Sequence, residues 1–208
     1  MPHPWLDVPL NDYEEHMRSA SVRQLEVLSE LFRQVLQCCA PASVAVLGVA
    51  GGNGLEHIDP ARTKRVVGVD INPDYLEAVR QRYQALPGLE LRRHDLTEPC
   101  AAIAPVELVH AALIFEHAGL DPCLEHALSL AAEGGRFSAV LQLPATTSED
   151  LAITPFPSVQ RLRENFRLIE PARFRERLDE NGFRLLQAWE HPLPGGKAFW
   201  VGIWERSR

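Results

Sequence analysis

Hydrophobic residues follow two different periods along the chain, and the period changes near Pro41. Between Asn11 and Cys39 apolar residues recur every three or four positions, which predicts an amphipathic helical region interrupted near Ser19–Ser21. After Pro41, short continuous apolar runs alternate with glycine-rich or amphipathic segments. Such runs are typical of strands that are buried on both faces of a parallel sheet.

Five short segments predict strands in the first two thirds of the chain. They are Val44–Leu47, Arg65–Val69, Leu89–Arg93, Val106–Leu113 and Phe137–Leu143. Helices are expected to open at Leu55–His57 and to span Pro73–Leu86 and Asp121–Ala132. Gly134 and Gly135 are expected to end the last of these. Repeated β-α-β units with short connections predict an α/β fold, an open parallel sheet with helices on both faces.

The last third of the chain has a different pattern. The proline- and threonine-rich loop Pro144–Pro157 is longer than structural connections usually are. A helix is predicted at Pro171–Glu180. The strands Phe183–His191 and Ala198–Glu205 are joined by a segment containing Pro-Gly-Gly, which favours an antiparallel pair.

Composition and charge limit the class of protein. The chain has 208 residues, of which 46% are hydrophobic and 24% charged, as expected for one globular domain. No stretch reaches the roughly 20 apolar residues of a membrane helix, and residues 1–10 lack the pattern of a secretory signal. We therefore expect a cytoplasmic protein with no membrane partner. The net charge of −7 disfavours nucleic acid as a partner.

Cysteine and histidine spacing predicts no metal site. The cysteines are Cys38, Cys39, Cys100 and Cys123. Because no two of them have the two-residue spacing of a zinc or thiol-redox motif, we expect reduced thiols. The histidines His94, His110, His117 and His126 fall on different predicted elements, so we expect no metal there either.

A glycine-rich loop, Gly48–Gly54, directly follows the first predicted strand. Missing side chains let a ligand approach the backbone of such a loop, although a glycine turn can also merely pack a helix on a sheet. The third and sixth positions counted from Gly48 are Ala50 and Asn53, so the common dinucleotide fingerprint is not met.

Asp70 ends the second strand, where a carboxylate can accept hydrogen bonds from ribose hydroxyls or cap the next helix. Asp95 follows the third strand, where it can accept from an adenine amino group or only form a turn.

Five segments, taken in order and spacing, resemble those of the class I S-adenosylmethionine-dependent methyltransferases. They are Val44–Gly54, Val69–Ile71, His94–Leu96, Glu107–His117 and Gly134–Phe137. The resemblance runs from Ser43 to the end of the chain. It implies a Rossmann-like, mostly parallel sheet of seven strands with helices on both faces, a C-terminal antiparallel hairpin and an N-terminal helical cover. It also implies S-adenosyl-L-methionine as cofactor, S-adenosyl-L-homocysteine as product and a small-molecule acceptor.

The resemblance divides the chain into four parts. We expect a helical cover at 1–42, a cofactor-binding core at 43–143, a substrate-side loop and helices at 144–180 and a hairpin at 181–208. The residues that the resemblance assigns to the cofactor are Gly48, Ala50, Gly51 and Gly52 for its amino-acid part, Asp70 and Ile71 for the ribose and adenine edge, Asp95 and Leu96 for the adenine, and Ala111 and Ala112 for its methyl-bearing end. Two positions depart from the family, which usually has an acid at Val46 and a glycine at Ala50.

Three further features are candidates for function. His117, beyond the fourth strand, is a candidate general base, although it can equally pack or cap the following helix. Tyr13, His16 and Met17 share one helix face, which either closes over the cofactor with Tyr13 near its carboxylate or simply packs on the sheet. The segment Arg161–Arg177 holds six arginines against three glutamates, an excess of +3 that suits an anionic substrate or, more simply, a solvated helix face.

Three other functions stay open. An aminopropyl transferase has a similar glycine loop but needs acidic residues beside the fourth strand, where Ala111-Ala112-Leu113 offers none. An NAD-linked oxidoreductase is disfavoured by the glycine spacing and by the lack of a Tyr-x-x-x-Lys pair. A non-catalytic protein that binds S-adenosylmethionine is supported by Val46 and Ala50, the two departures from the family.

Overall fold

A single twisted sheet of seven strands runs through the computed structural model, which describes residues 3–99, 103–121, 123–145 and 154–207. The strands are β1 Ser43–Leu47, β2 Arg65–Asp70, β3 Leu89–Arg93, β4 Val106–Ala112, β5 Ala131–Gln142, β6 Phe183–Pro192 and β7 Ala198–Arg206. Their order across the sheet is β3-β2-β1-β4-β5-β7-β6. The first five are mutually parallel, and β7 pairs antiparallel with both β5 and β6. The predicted fold class, with its C-terminal hairpin, is confirmed.

The strand order places a crevice at the centre of the sheet. The chain moves outward from β1 through β2 to β3 and then returns to place β4 on the other side of β1. The connections that follow β1 and β4 therefore lead to opposite sides of β1, and a gap opens between them beyond the carboxyl ends of these strands. Ligands of open α/β sheets bind at such a reversal.

Helices cover both faces of the sheet. They are α1 Leu10–Arg18, α2 Gln24–Cys39, α3 Pro73–Arg82, α4 Phe115–Ala118, α5 Cys123–Ser129, α6 Pro157–Gln160 and α7 Pro171–Glu180. Alternate residues of β1 point to opposite faces, so Val44 packs with Phe32 and Val35 of α2, whereas Ala45 belongs to the core under α5 and α7. Among the described residues, no helix is long and apolar enough to cross a membrane.

Four predicted elements differ from the structure. The helix predicted at Asp121–Ala132 is shorter, since α5 spans Cys123–Ser129 and Ala131 already belongs to β5. Leu55–His57 forms one 3₁₀ turn and opens no longer helix, because Pro60 disfavours helical geometry at the residue before it. Helix α3 ends at Arg82, before Leu86. Gly134 and Gly135 lie inside β5, at a register shift against β4, and do not end a helix. Cys100 and residues 146–153 of the long loop lie outside the described residues.

Candidate active site

A cavity of about 660 Å³ lies beyond the carboxyl ends of the central strands. Its described lining residues are His3, Trp5, Gly48, Ala50, Asp70, Ile71, Tyr75, His94, Asp95, Leu96, Ala112, Leu113, Ile114, His117 and Ala118. They come from the ends of β1 to β4, the start of α3, helix α4 and the N-terminal segment. We refer to this space as the first cavity.

The glycine loop approaches the first cavity with its backbone. Gly48 has φ of +66°, and a Cβ there would lie only 2.7 Å from Cδ1 of Ile114, so glycine is strongly favoured. Ala50 also has positive φ, +46°, although it carries a side chain. Ala50 thus adopts the conformation for which glycine is better suited.

Two carboxylates hold this loop in place. The backbone N–H of Ala50 donates to Oδ2 of Asp70 at 2.9 Å, and the backbone N–H of Gly54 donates to Oε2 of Glu56 at 2.8 Å. Glu56 also accepts from the hydroxyls of Ser29 and Tyr83, which connect it to α2 and to the end of α3. The loop is therefore oriented by acids elsewhere in the chain. Val46, which stands where the family usually has an acid, is buried in the core.

Asp70 stands at the tip of β2, in the wall of the first cavity. Its Oδ1 accepts the backbone N–H of Asn72 at 2.9 Å, and Asn72 in turn caps α3 by accepting from Asp74. Burial raises the pKa of Asp70, and the hydrogen bonds from Asn72 and Ala50 oppose that rise. Each carboxylate oxygen has a second lone pair for a ligand hydroxyl.

Asp95 lies just beyond β3 and faces the same cavity. Its Oδ1 accepts from the backbone N–H of Thr97 at 2.9 Å and from the Thr97 hydroxyl at 2.7 Å. Partial burial opposes ionisation of Asp95, but the hydrogen bonds from Thr97 outweigh it and lower the pKa. Asp95 is therefore an ionised acceptor whose Oδ2 accepts from no described residue.

Three buried polar atoms in the wall of the first cavity lack a partner among the described residues. They are Nδ1 of His3, the hydroxyl of Tyr75 and Nδ1 of His117. A buried donor or acceptor without a partner costs about 1–3 kcal/mol, so such atoms point to a bound ligand or water. Tyr75 is only 1% exposed, which makes its hydroxyl the most strongly constrained of the three.

Four residues assigned by the sequence do not line the first cavity. A Cβ at Gly51 would collide with Glu14 and Arg82, and one at Gly52 would lie 2.6 Å from the ring of Tyr83, so both glycines face α1 and α3. Ala111 is fully buried in the sheet core. Tyr13 lines a neighbouring space. The other assigned residues do meet there: Gly48, Ala50, Asp70, Ile71, Asp95, Leu96, Ala112 and His117.

A second cavity of about 530 Å³ adjoins the first. Its described lining residues are Trp5, Tyr13, His16, Met17, Gln24, Leu113, His117, Gln142, Thr154, Val159, Leu162, Arg163 and Phe166. Trp5, Leu113 and His117 line both cavities and so form the partition between them. Leu113 has φ of +56°, a strained conformation for a bulky residue, and such strain is common at functional sites.

His117 is held between aromatic rings in this partition. Its ring lies edge-on to Trp5, with centroids 5.0 Å apart, and to Phe166, with centroids 5.2 Å apart. Burial lowers the pKa of His117 to about 4, and the nearby His3 contributes in the same direction. The imidazole is therefore neutral near pH 7, and one of its ring nitrogens carries a free lone pair.

Glu116, the neighbour of His117, is a fully buried acid. Its Oε1 accepts the backbone N–H of Gln142 at 2.8 Å, while its Oε2 has no partner among the described residues. Burial raises the pKa of Glu116 to about 7. The side chain lines neither cavity, so it fixes the end of β5 against α4 and does not face a ligand.

The N-terminal segment covers both cavities. The backbone carbonyl of Trp5 accepts from the side-chain amide of Asn72 at 2.9 Å. Glu14 on α1 forms an ion pair with Arg82, which also donates to the carbonyl of Gly51 at 3.0 Å. His3 and Trp5 cover the first cavity, and the predicted face of Tyr13, His16 and Met17 covers the second. His3, Trp5 and Arg82 carry no recognisable motif, which is why the sequence did not indicate them.

Other titratable clusters in the described residues have structural roles. His110 is buried, lies 2.8 Å from the hydroxyl of Ser138 and stacks on Phe32 at a centroid distance of 4.5 Å. No group of three His, Cys, Asp or Glu side chains in the described parts of the chain is arranged to hold a metal ion.

Comparison with known proteins identifies the fold. No protein-family model matches the chain, and no curated protein matches its sequence. The N-methyltransferase NodS from Bradyrhizobium japonicum WM9, solved with S-adenosyl-L-homocysteine, matches with a TM-score of 0.69 at 14% identity, over 96% of this chain and 98% of its own. Magnesium protoporphyrin IX methyltransferase from Synechocystis PCC 6803, also solved with S-adenosyl-L-homocysteine, matches with a TM-score of 0.70 at 13% identity. The match covers 99% of this chain and 98% of that protein's chain. The chain has the fold of the class I methyltransferases, as the sequence predicts.

The same fold also occurs with another reaction. The [4+2]-cyclase SpnF matches with a TM-score of 0.68 at 9% identity, over 91% of this chain and 83% of its own. At such identities the fold alone is shared, so activity must be argued from the site.

Proposed function

We propose that this protein is an S-adenosyl-L-methionine-dependent methyltransferase that acts on a small-molecule acceptor. The observation that carries the proposal is the meeting of Asp70, Asp95 and the glycine loop in one cavity. Two acids at the ends of neighbouring strands suit the hydroxyls of a ribose and the amino group of an adenine, and the exposed loop backbone suits a polar tail.

The residues present fit this cofactor. The hydroxyl of Tyr75 and Nδ1 of His3 are buried in the cavity wall without partners, as expected where a polar ligand supplies them. Leu96 and Ile71 provide apolar walls beside the two acids. When bound, S-adenosyl-L-methionine supplies a methyl group on a sulfonium, which leaves the protein to align the acceptor and exclude water.

The residues then have distinct roles. Asp70 and Asp95 bind the nucleoside, and the backbone around Gly48 and Ala50 binds the amino-acid part. Trp5 covers the first cavity and excludes water from it. His117, neutral and with Nδ1 free of partners among the described residues, lies on the boundary with the second cavity, where it can accept a proton from an acceptor hydroxyl or ammonium.

An aminopropyl transferase is less well supported. A polyamine needs carboxylates around it, but none of the described residues that line the second cavity is Asp or Glu. The nearby acids of α1 are already engaged, since Asp12 accepts from the hydroxyl of Ser158 and Glu14 pairs with Arg82.

Isothermal titration calorimetry with S-adenosyl-L-homocysteine tests the proposal. We expect one site per chain with a micromolar dissociation constant, and no detectable binding of NAD⁺. The full-length protein should also produce S-adenosyl-L-homocysteine from S-adenosyl-L-methionine when a suitable acceptor is present. Failure of the wild-type protein to bind S-adenosyl-L-homocysteine would overturn the proposal.

A further inference from the structure

The second cavity has a chemical character that indicates what it binds. Its walls include the aromatic rings of Trp5, Tyr13 and Phe166, with the thioether of Met17 beside them. Aromatic and thioether groups favour a flat apolar ligand, because they offer polarisable surfaces of large area. The lining is mostly apolar, as in the usual sites for small organic ligands.

One charged group stands among these apolar walls. Arg163 lines the second cavity, and its guanidinium forms no ion pair or hydrogen bond with any described residue. Other arginines of the same region are engaged, since both Arg173 and Arg177 pair with Asp121. A guanidinium without a partner beside an apolar cavity is suited to a planar carboxylate, which it can bind through two parallel hydrogen bonds.

The surroundings of the cavity reinforce this positive character. No Asp or Glu is found among its described lining residues. Burial and the positive charge of nearby Lys197 both lower the pKa of His16, another lining residue. Among the described lining residues, no acid therefore offsets the charge of Arg163.

The two cavities meet at His117, so a ligand in the second can present an atom to the first. Resting on the methyltransferase function proposed above, we infer that the second cavity binds an aromatic acceptor that carries a carboxylate, with Arg163 as the residue that recognises the carboxylate. The rings of Trp5 and Phe166 hold the body of the acceptor. The carboxylate lies at the Arg163 end, and a hydroxyl or amine at the opposite end of the acceptor faces His117.

The bonds and the proton of the methyl transfer are all accounted for by the acceptor, the cofactor and His117. A bond forms between the acceptor oxygen or nitrogen and the methyl carbon, and the methyl-sulfur bond breaks with its electron pair remaining on sulfur. The proton of the acceptor passes to Nδ1 of His117. No oxidant, reductant or metal is needed.

A matched pair of probes tests the inference by binding alone. 4-Hydroxybenzoate carries the carboxylate, whereas its methyl ester has the same ring and hydroxyl without the charge. By calorimetry or saturation-transfer NMR on the full chain, we expect the acid to bind about tenfold more tightly than the ester, because the ester cannot form the charged pair with Arg163. Arg163→Gln should abolish this preference, and Arg163→Lys should retain part of it. Arg161→Gln removes an equal charge from the same turn, outside the cavity, and should behave as wild type.

Two results would overturn the inference. One is equal binding of acid and ester to the wild-type protein, or no binding of either at millimolar concentration. The other is a preference for the acid that survives in a folded Arg163→Gln protein. Each titration is run with and without S-adenosyl-L-homocysteine. The proposed function is judged only by binding of S-adenosyl-L-homocysteine, and the inference about the second cavity only by binding of the acid and the ester, so the two can fail separately.

Discussion

The carboxylate of Asp70 accepts the backbone N–H of Ala50 at 2.9 Å and thereby joins the end of β2 to the glycine loop. Its other oxygen accepts the N–H of Asn72, at the start of α3. One side chain thus fixes three elements and also forms part of the cavity wall. The remaining lone pairs are those that we assign to the ribose of the cofactor.

Asp70→Asn should weaken binding of S-adenosyl-L-homocysteine. Asparagine keeps one oxygen acceptor for the loop but loses the charge, and charged hydrogen bonds contribute about 1.5–3 kcal/mol, so the affinity should fall at least about tenfold. Calorimetry measures the effect. Asp74→Asn, an exposed change on the adjoining helix α3, is the control and should bind as wild type. An Asp70→Asn protein with unchanged affinity would exclude Asp70 from the site.

Ala50→Gly should maintain or increase the free energy of unfolding. Ala50 has φ of +46°, which costs an L-residue about 1–2 kcal/mol, whereas the added freedom of glycine in the unfolded chain costs about 0.5–1 kcal/mol. The expected net gain is about 0.5 kcal/mol, measured by urea denaturation. Ala45→Gly, in β1, lacks this relief and should destabilise. A comparable loss of stability in both variants would contradict the account of the loop.

Glu116→Gln should stabilise the protein at alkaline pH only. The pKa of Glu116 is raised to about 7, so above that pH the folded state must hold a buried charge, whereas below about pH 4.5 the acid is protonated in both states. The free energy of unfolding of the variant minus that of wild type should rise from near zero at pH 4 to about 3 kcal/mol at pH 8.

Urea denaturation at pH 4, 6 and 8 measures this difference. Ionisations that are common to both proteins cancel in this difference. Glu125→Gln, on the exposed face of α5, should differ from wild type by less than about 0.5 kcal/mol at each pH. A constant effect of Glu116→Gln at all three values would show that Glu116 is not a buried titrating acid.

His117 should remain neutral over the physiological range. Burial lowers its pKa to about 4, against an ordinary value of 6.5. In NMR spectra of the imidazole carbons, the His117 resonance, assigned by its loss in His117→Gln, should not shift between pH 5.5 and 8. A midpoint between pH 6 and 7 would mean that the ring is solvated and is not the buried proton acceptor that we propose.

Trp5 and Tyr13 should affect cofactor binding differently. Trp5 lines the first cavity, whereas Tyr13 lines only the second. Trp5→Ala removes a large apolar cover and should weaken S-adenosyl-L-homocysteine binding about tenfold, while Tyr13→Phe should change it by less than about twofold. If Tyr13→Phe weakens binding as strongly as Trp5→Ala does, Tyr13 contacts the cofactor as the sequence suggests.

Most of the fold could be predicted because its signals are local. The strands predicted at Val44–Leu47 and Leu89–Arg93 agree with β1 and β3, and Pro171 marks the start of α7. The predicted elements differ from the structure where a glycine pair is compatible with either of two local structures. Gly134 and Gly135 can end a helix or form a bulge in a strand, and only the pairing of β5 with β4 decides between these.

The candidate site was predictable where strand ends determine it. Asp70 and Asp95 follow parallel neighbouring strands, so their sequence positions already place them at one edge of the sheet. The partners His3, Trp5 and Arg163 come from segments distant in the sequence. Their approach depends on how the N-terminal segment and the region after β5 pack together, and no local pattern encodes that packing.

A crystal structure of the protein with S-adenosyl-L-homocysteine tests the central claim most directly. We expect the ribose hydroxyls within hydrogen-bond distance of Asp70, the adenine amino group at Asp95 and the sulfur directed toward His117 and the second cavity. A complex in which the ligand lies outside the first cavity, or crystals that take up none at saturating concentration, would contradict the proposed function.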